Sequence, residues 1–247
     1  MLELYYSRYS INSEKVLLCL FEHEIPFSGH FIDLFAFDQT APDYLAINPN
    51  GLVPTLVIDG EPLYESTAIT EFIEDSYTER SLRPSDPLAR GRMRVWVQHC
   101  QDVFYPAMAL ISQVRFIAAE LKRRWSLEEL DRLIKRKPNP DRVARQLRAV
   151  RGGLPPDEIV EAQRKADGML DRMEAELGHD REWLAGSFSL ADIAAAPNVH
   201  RFALLGLMEI VQKRPRVNDW YRRMLERPSF KRTYEYAPPN AGARQDS

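Results

Sequence analysis

Leu2-Glu3-Leu4-Tyr5-Tyr6 alternates apolar and polar positions and predicts a short half-buried strand. From about Ser13 to Glu24 the period changes. Val16, Leu17, Leu20 and Phe21 form a helical stripe, and Pro26 closes it. Phe31-Ile32 predicts a second short strand, and Asp38 to Ala46 a weak helix. Asn48-Pro49-Asn50-Gly51 is a turn. Thr55 to Ile58 and Pro62 to Tyr64 flank Asp59-Gly60, a two-residue hairpin signal. Glu65-Ser66-Thr67 then opens a helix to about Tyr77. The order is β-α-β-α-β-β-α, with a parallel pair first and an antiparallel hairpin last.

Beyond Arg80 the pattern holds no convincing strand. Residues 81–87, with Pro84 and Pro87, read as a linker. Leu88 to about Leu121 is helical, with a kink expected at Pro106. Ile159, Ala162, Ala166, Met169, Leu170, Met173 and Leu177 fall on one face of a helix over 157–177. Ser189-Leu190-Ala191-Asp192 has the spacing of a capping box, and a later helix over Trp220 to Leu225 ends near Pro228. This predicts an α/β domain over 1–80 and an all-α domain over 86–236. The small, polar tail at 237–247 reads as disordered.

Composition adds mostly exclusions. The chain has 247 residues, 45% of them hydrophobic, with a net charge of −3. That fits a globular protein and argues against one that coats nucleic acid. No apolar run reaches the roughly 18–20 residues that span a bilayer; the best, Val103 to Val114, contains Pro106. The first residues lack the pattern of a signal peptide. Cys19 and Cys100 show neither a close pair nor a metal-ligand spacing, so no disulfide, no metal site and a reduced cytoplasmic setting are expected. The charge is uneven. Residues 120–151 hold eleven Lys or Arg and five acids, so they carry +6 and the remainder −9. Pro138-Asn139-Pro140 and the run 152–156 mark this stretch, 120–156, as an insertion. It reads either as a solvated helical excursion or as a lid that attracts anionic substrate.

Four local stretches, in order, carry a resemblance to the cytosolic glutathione S-transferase family. Asn48 to Leu56 resembles the family's loop before strand three, whose proline is cis. Glu65-Ser66-Thr67-Ala68-Ile69 resembles the start of its glutathione-binding helix. Leu184 to Asp192 resembles the cap of its buried helix, one residue shorter than usual. Arg227-Pro228-Ser229-Phe230 resembles its C-terminal helix end. The resemblance implies a thioredoxin-like N-terminal domain, a C-terminal helical bundle, a homodimer and glutathione as co-substrate. Within the family, Leu4-Tyr5, Asn12-Ser13, residues 65–75 and Met93-Arg94-Val95-Trp96 look most like the bacterial glutathione-dependent β-aryl etherases, which cleave lignin-derived aromatic ethers. A halogen- or epoxide-directed detoxifying transferase and a non-catalytic binding module are the alternatives.

The chemistry requires a thiolate. A helix N-terminus after strand one favours an anion, and Ser10, Asn12 and Ser13 could each donate a hydrogen bond to sulfur there. Any of them could instead only cap the helix. In the resemblance, Ser10 sits at the catalytic position of serine-type classes, and Asn12-Ser13 matches the etherase pair. Tyr5, Tyr6 and Tyr9 are tyrosine-type rivals. A thiol of pKa about 8.5 is roughly 3% ionised at pH 7. Lowering it by about two units raises that fraction about 25-fold but forfeits roughly 6- to 10-fold in nucleophilicity. The net gain is a few-fold, so alignment of thiolate and electrophile carries most of the rate. The resemblance further implies that Val53, before a cis Pro54, presents its backbone to the cysteinyl part. Glu65 and Ser66 then take the γ-glutamyl end, and Gln39 the glycyl end. Leu52 stands where many members carry lysine. Tyr9, Phe104, Tyr105, Met108, Ile111 and Arg115 either line a site for a hydrophobic aromatic electrophile or pack in the core.

Overall fold

The computed structural model describes residues 1–77, 79–178 and 181–236, so the tail expected at 237–247 lies outside the described residues. The chain divides into two compact units, Met1–Ser81 with the segment from Leu225 onward, and Leu82–Met224.

The first unit is built on a four-stranded sheet of order β2-β1-β3-β4. The strands are β1 (Leu2–Tyr6), β2 (Ser28–Phe31), β3 (Thr55–Ile58) and β4 (Glu61–Tyr64). β1 runs parallel to β2 and antiparallel to β3, and β3–β4 is the hairpin expected around Asp59-Gly60. Strand two begins earlier than its apolar pair suggests. Ser28-Gly29-His30 has no inward alternation because β2 is the sheet edge, paired only to β1. Leu2, Leu4 and Tyr6 turn one face of β1 into the core. Helices α1 (Ile11–Glu22) and α3 (Ser66–Ser76) pack together, and Lys15 Nζ donates to Thr67 Oγ1 at 3.0 Å. In chain order the short helix α2 (Pro42–Ile47) comes between these two.

The helical part was expected to run to residue 236, but its last helix belongs to the first unit. The residues around this helix (Pro228–Glu235) dock on α1 through Glu22. Arg227 binds both oxygens of that carboxylate, at 2.6 and 2.8 Å, and Ser229 donates to it as well. Tyr236 then packs its ring against Tyr6, Phe21 and Phe27.

In the second unit one helical run covers 87–124: α4 (Pro87–His99), a π-helical turn at Cys100–Phe104, α5 (Tyr105–Ser112), a second π turn at Gln113–Ile117, and α6 (Ala118–Arg124). Pro106 brings a widened turn rather than the chain break of a simple kink. Its ring would clash with the carbonyl of Asp102 in regular α geometry, and the π turn just before it opens the ladder there. The insertion forms α7 (Leu127–Ile134) and α8 (Pro140–Arg151). They are packed together over Leu130, Ile134, Ala149 and Val150, with Lys135, Arg136, Arg145, Arg148 and Arg151 outside. α9 (Pro156–Leu177) packs along α5. α10 (Leu190–Leu204) is central, and α11 (Met208–Gln212) and α12 (Pro215–Glu226) follow. Among the described residues no helix is long and apolar enough to cross a membrane.

The capping box expected at Ser189 does more than cap. Asp192 accepts from Ser189 N at 3.1 Å, from Leu184 N at 3.1 Å and from Trp220 Nε1 at 2.8 Å, so one carboxylate joins three segments. Burial pushes its carboxyl up to about 6 against the pull of these donors. Eight residues on, His200 meets the Tyr221 hydroxyl at 2.6 Å. Burial, then the Arg201 charge, pulls its imidazole down to about 4. The two groups act on acid stability with opposite sign. The unfolded chain takes up the His200 proton first, so that contribution is lost as pH falls from about 6.5 to about 4. The folded chain takes up the Asp192 proton first, so that contribution is gained as pH falls through about 6. Each shift corresponds to about 3 kcal/mol. His200→Gln should therefore gain stability relative to wild type between pH 7 and pH 4, and Asp192→Asn should lose it. Denaturant unfolding across that range checks both slopes.

Candidate active site

The sheet register assembles the site. Tyr5 pairs with Thr55, and Thr55 pairs with Tyr64. The exit of β1, the entry of β3 and the exit of β4 therefore lie at one edge, on adjacent strands about 4.8 Å apart. The segments at that edge are Ser7 to Ser13, Val53-Pro54 and Glu65-Ser66. β2 runs parallel to β1 and exits at the same edge, toward Gln39.

At the first segment the three hydroxyl and amide candidates separate. Ser10 is the N-cap of α1, and its Oγ accepts from Ser13 N at 3.2 Å. Ser13 is wholly buried, and its Oγ accepts from Ser7 N at 3.2 Å. Asn12 is half-buried at the second position of the helix. Among the described residues its amide has no partner. Ser7, which the sequence reading did not weigh, is wholly buried, and among the described residues its hydroxyl has no hydrogen-bond partner. Of the tyrosines, Tyr5 stacks on His30 at 4.5 Å, and Tyr6 buries its hydroxyl. Tyr9 is exposed, edge-on to Phe35. Burial raises Tyr5 and, far more, Tyr6, which keeps both phenols neutral.

At the second segment the Val53–Pro54 bond is cis. The loop before it is held by side chains that the sequence reading passed over. Asn48 Nδ2 donates to Leu52 O at 2.9 Å and to Thr55 Oγ1 at 3.0 Å, and its Oδ1 accepts from Asn50 N at 3.0 Å. The Tyr44 hydroxyl meets Thr55 Oγ1 at 2.9 Å. Burial raises this phenol to about 12. The Asn48-Pro49 turn signal was the only hint of this cage.

At the third segment Glu65 takes φ 72° and ψ 107°, a backbone state that a residue with a side chain rarely adopts. It is exposed, and Ser66 behind it is buried as the first residue of α3. α3 has no capping side chain and no acid in its first turn. Its N–H groups there form an open, positive helix end suited to a carboxylate. Gln39 is buried, and among the described residues its Oε1 has no partner.

The residues read as an electrophile pocket do not share one environment. Phe104 and Met108 are fully buried, Phe104 against Phe202, and offer no accessible surface. Tyr105 is half-buried. Ile111 and Arg115 line a cavity of about 570 Å³ within the helical unit, with Phe202, Leu207, Ile210 and Arg214.

Comparison with known proteins agrees with this geometry. The sequence model described as "Glutathione S-transferase, N-terminal domain" matches residues 9–76, and "Glutathione S-transferase, C-terminal domain" matches 140–223. "Protein LigF" of Sphingobium sp. (strain NBRC 103272 / SYK-6) is 34% identical over 241 residues, 95% of this chain and 93% of that protein. The crystal structure of beta-etherase LigF from Sphingobium sp. strain SYK-6 matches with a TM-score of 0.88 at 32% identity, covering 96% of this chain and 99% of that one. Glutathione transferase F7 from Populus trichocarpa matches with a TM-score of 0.75 at 27% identity, covering 95% and 98%. The chain belongs to the glutathione S-transferase family, and its fold is that of a glutathione-dependent transferase.

The loop cage yields a prediction. Asn48→Ala deletes three hydrogen bonds at a residue 1% exposed, leaving Leu52 O and Thr55 Oγ1 to share the Tyr44 hydroxyl and taking the acceptor from Asn50 N. It should lower stability by about 2–3 kcal/mol in denaturant unfolding. A loss below about 0.5 kcal/mol would show that the cage does not hold the loop.

Proposed function

We propose that this transferase cleaves β-aryl ethers. The glutathione thiolate attacks the carbon that bears an aryloxide. The C–S bond forms as the C–O bond breaks, and the aryloxide leaves with the electron pair and is protonated to a phenol. The observation that carries this reading is the likeness to beta-etherase LigF over nearly the whole chain. Glutathione bound along the sheet edge fits the features there. The open end of α3, with Ser66, suits the γ-glutamyl carboxylate, Glu65 the ammonium, the Val53 backbone the cysteinyl amide, and the Gln39 amide the glycyl end. Asn12 is assigned as the donor to sulfur. Ser13 already serves Ser7 in a closed environment and Ser10 caps α1, whereas the Asn12 amide is half-exposed and unengaged among the described residues. The family resemblance supports a cytoplasmic homodimer, which light scattering tests directly.

A model β-aryl ether and a chlorinated aromatic, each assayed with glutathione after retention on immobilised glutathione, test the reading. Turnover of the ether, releasing phenol, is expected. Turnover of the chlorinated substrate alone would replace it with a detoxifying transferase, and neither binding nor turnover with a binding module. Within an active enzyme, Asn12→Ala should move the midpoint of the pH–rate profile upward by about one unit. It should leave the rate at high pH within a few-fold, because a less stabilised thiolate is scarcer but more nucleophilic. Ser13→Ala should instead lower stability by about 1 kcal/mol and leave that midpoint in place.

A further inference from the structure

Among the described residues one cluster of Cys, His and acidic side chains brings its ligand atoms close enough to share an ion: Cys19, His23 and Glu74, whose ligand atoms all lie within 4.8 Å of one another. Cys19 and His23 stand four residues apart on one face of α1, the second at its C-cap, and Glu74 comes from the last turns of the adjacent α3. His23 Nε2 is 2.7 Å from Glu74 Oε1, and these two side chains are only 2% and 0% exposed. We propose that Cys19, His23 and Glu74 form a binding site for a zinc-class divalent cation.

Three features favour an ion here over a hydrogen-bonded pair alone. The donor set of sulfur, imidazole nitrogen and carboxylate oxygen is that of zinc, and a soft thiolate discriminates against magnesium and calcium. Charge balances. Once Cys19 gives up its thiol proton to solvent, thiolate and carboxylate together carry two negative charges, which cancel those of the ion in a buried place. The imidazole stays neutral and binds through one nitrogen, so one proton leaves per ion bound. Finally, the Ser81 hydroxyl donates to Glu74 Oε2 at 2.9 Å, an outer contact that orients the carboxylate whose Oε1 faces His23. Zinc bonds of about 2.0–2.3 Å set tetrahedral donors roughly 3.3–3.8 Å apart. Imidazole and carboxylate must therefore separate by less than about 1 Å, and the thiolate close in by about as much. Burial first, then the negative charges of Glu74, Glu22 and Glu71, push the Cys19 thiol up, so the cation itself must displace that proton on binding.

The site lies at the far end of α1 from Ser10 and Asn12. At about 1.5 Å rise per residue, Cys19 and His23 stand roughly 10–20 Å along the axis from those two residues. An ion there would tie α1 to α3, the two helices that present the sheet-edge site, and take no part in sulfur transfer.

The test uses the full chain, stripped with chelator and titrated with Zn²⁺ and with Co²⁺. One Zn²⁺ per chain and a thiolate-to-cobalt charge-transfer band are expected. The band should vanish in Cys19→Ser and persist in Cys100→Ser. His23→Gln and Glu74→Gln should each weaken Zn²⁺ binding at least about tenfold. Absence of the cobalt band in the wild-type chain overturns the proposal whether or not the variants fold, and so does a band that survives Cys19→Ser.

Discussion

The antiparallel pairing of β1 with β3 is the constraint on which the rest depends. A shift of that register by one residue would turn Leu2, Leu4 and Tyr6 out of the core and send Leu56 to the wrong face. It would also pull the entry of β3 away from the exits of β1 and β4, and with it the cis Val53–Pro54 bond away from Ser10 and Glu65. The same pairing that buries the apolar face thus fixes the distances between the parts of the site. This explains why the hydrogen bonds of Asn48 and Tyr44 converge on Thr55. That residue is the hinge between the loop and the ladder, paired to Tyr5 on one side and Tyr64 on the other.

Much of this was legible in the order of residues. The alternation in 2–6, the Asp59-Gly60 turn and the Ser189-to-Asp192 spacing each report a local rule, and local rules survive folding. The misplaced elements are those whose cause is distant. β2 sits over Ser28–Phe31 because it borrows its order from β1 as an edge strand, not because its own residues alternate. The last helix joins the first unit through Arg227 and Glu22, 205 positions apart. At the site, the motifs announced Pro54, Glu65 and Ser66. They did not announce Asn48 as the keeper of the loop, nor which of Ser10, Asn12 and Ser13 is left free once Ser7 has taken its partner. Burial decides that last question, and burial is not written in spacing. The cluster of Cys19, His23 and Glu74 was hidden for the same reason, since its third member is 51 residues from its second.

Two places in this chain treat buried polar groups in opposite ways. The helical unit is anchored by Asp192, a carboxylate with donors from Leu184, Ser189 and Trp220 in a fully closed environment. The first unit holds a different set of features. Glu65 keeps an unfavourable backbone, α3 begins uncapped, and Gln39 and Ser7 bury polar atoms with no partner among the described residues. Each of these states costs on the order of 1–3 kcal/mol in isolation. A ligand that supplies a carboxylate, an ammonium and amide groups could satisfy them together, so that part of its binding free energy is the relief of costs the fold already carries. Such a ligand would be held most firmly where the unliganded chain is least comfortable.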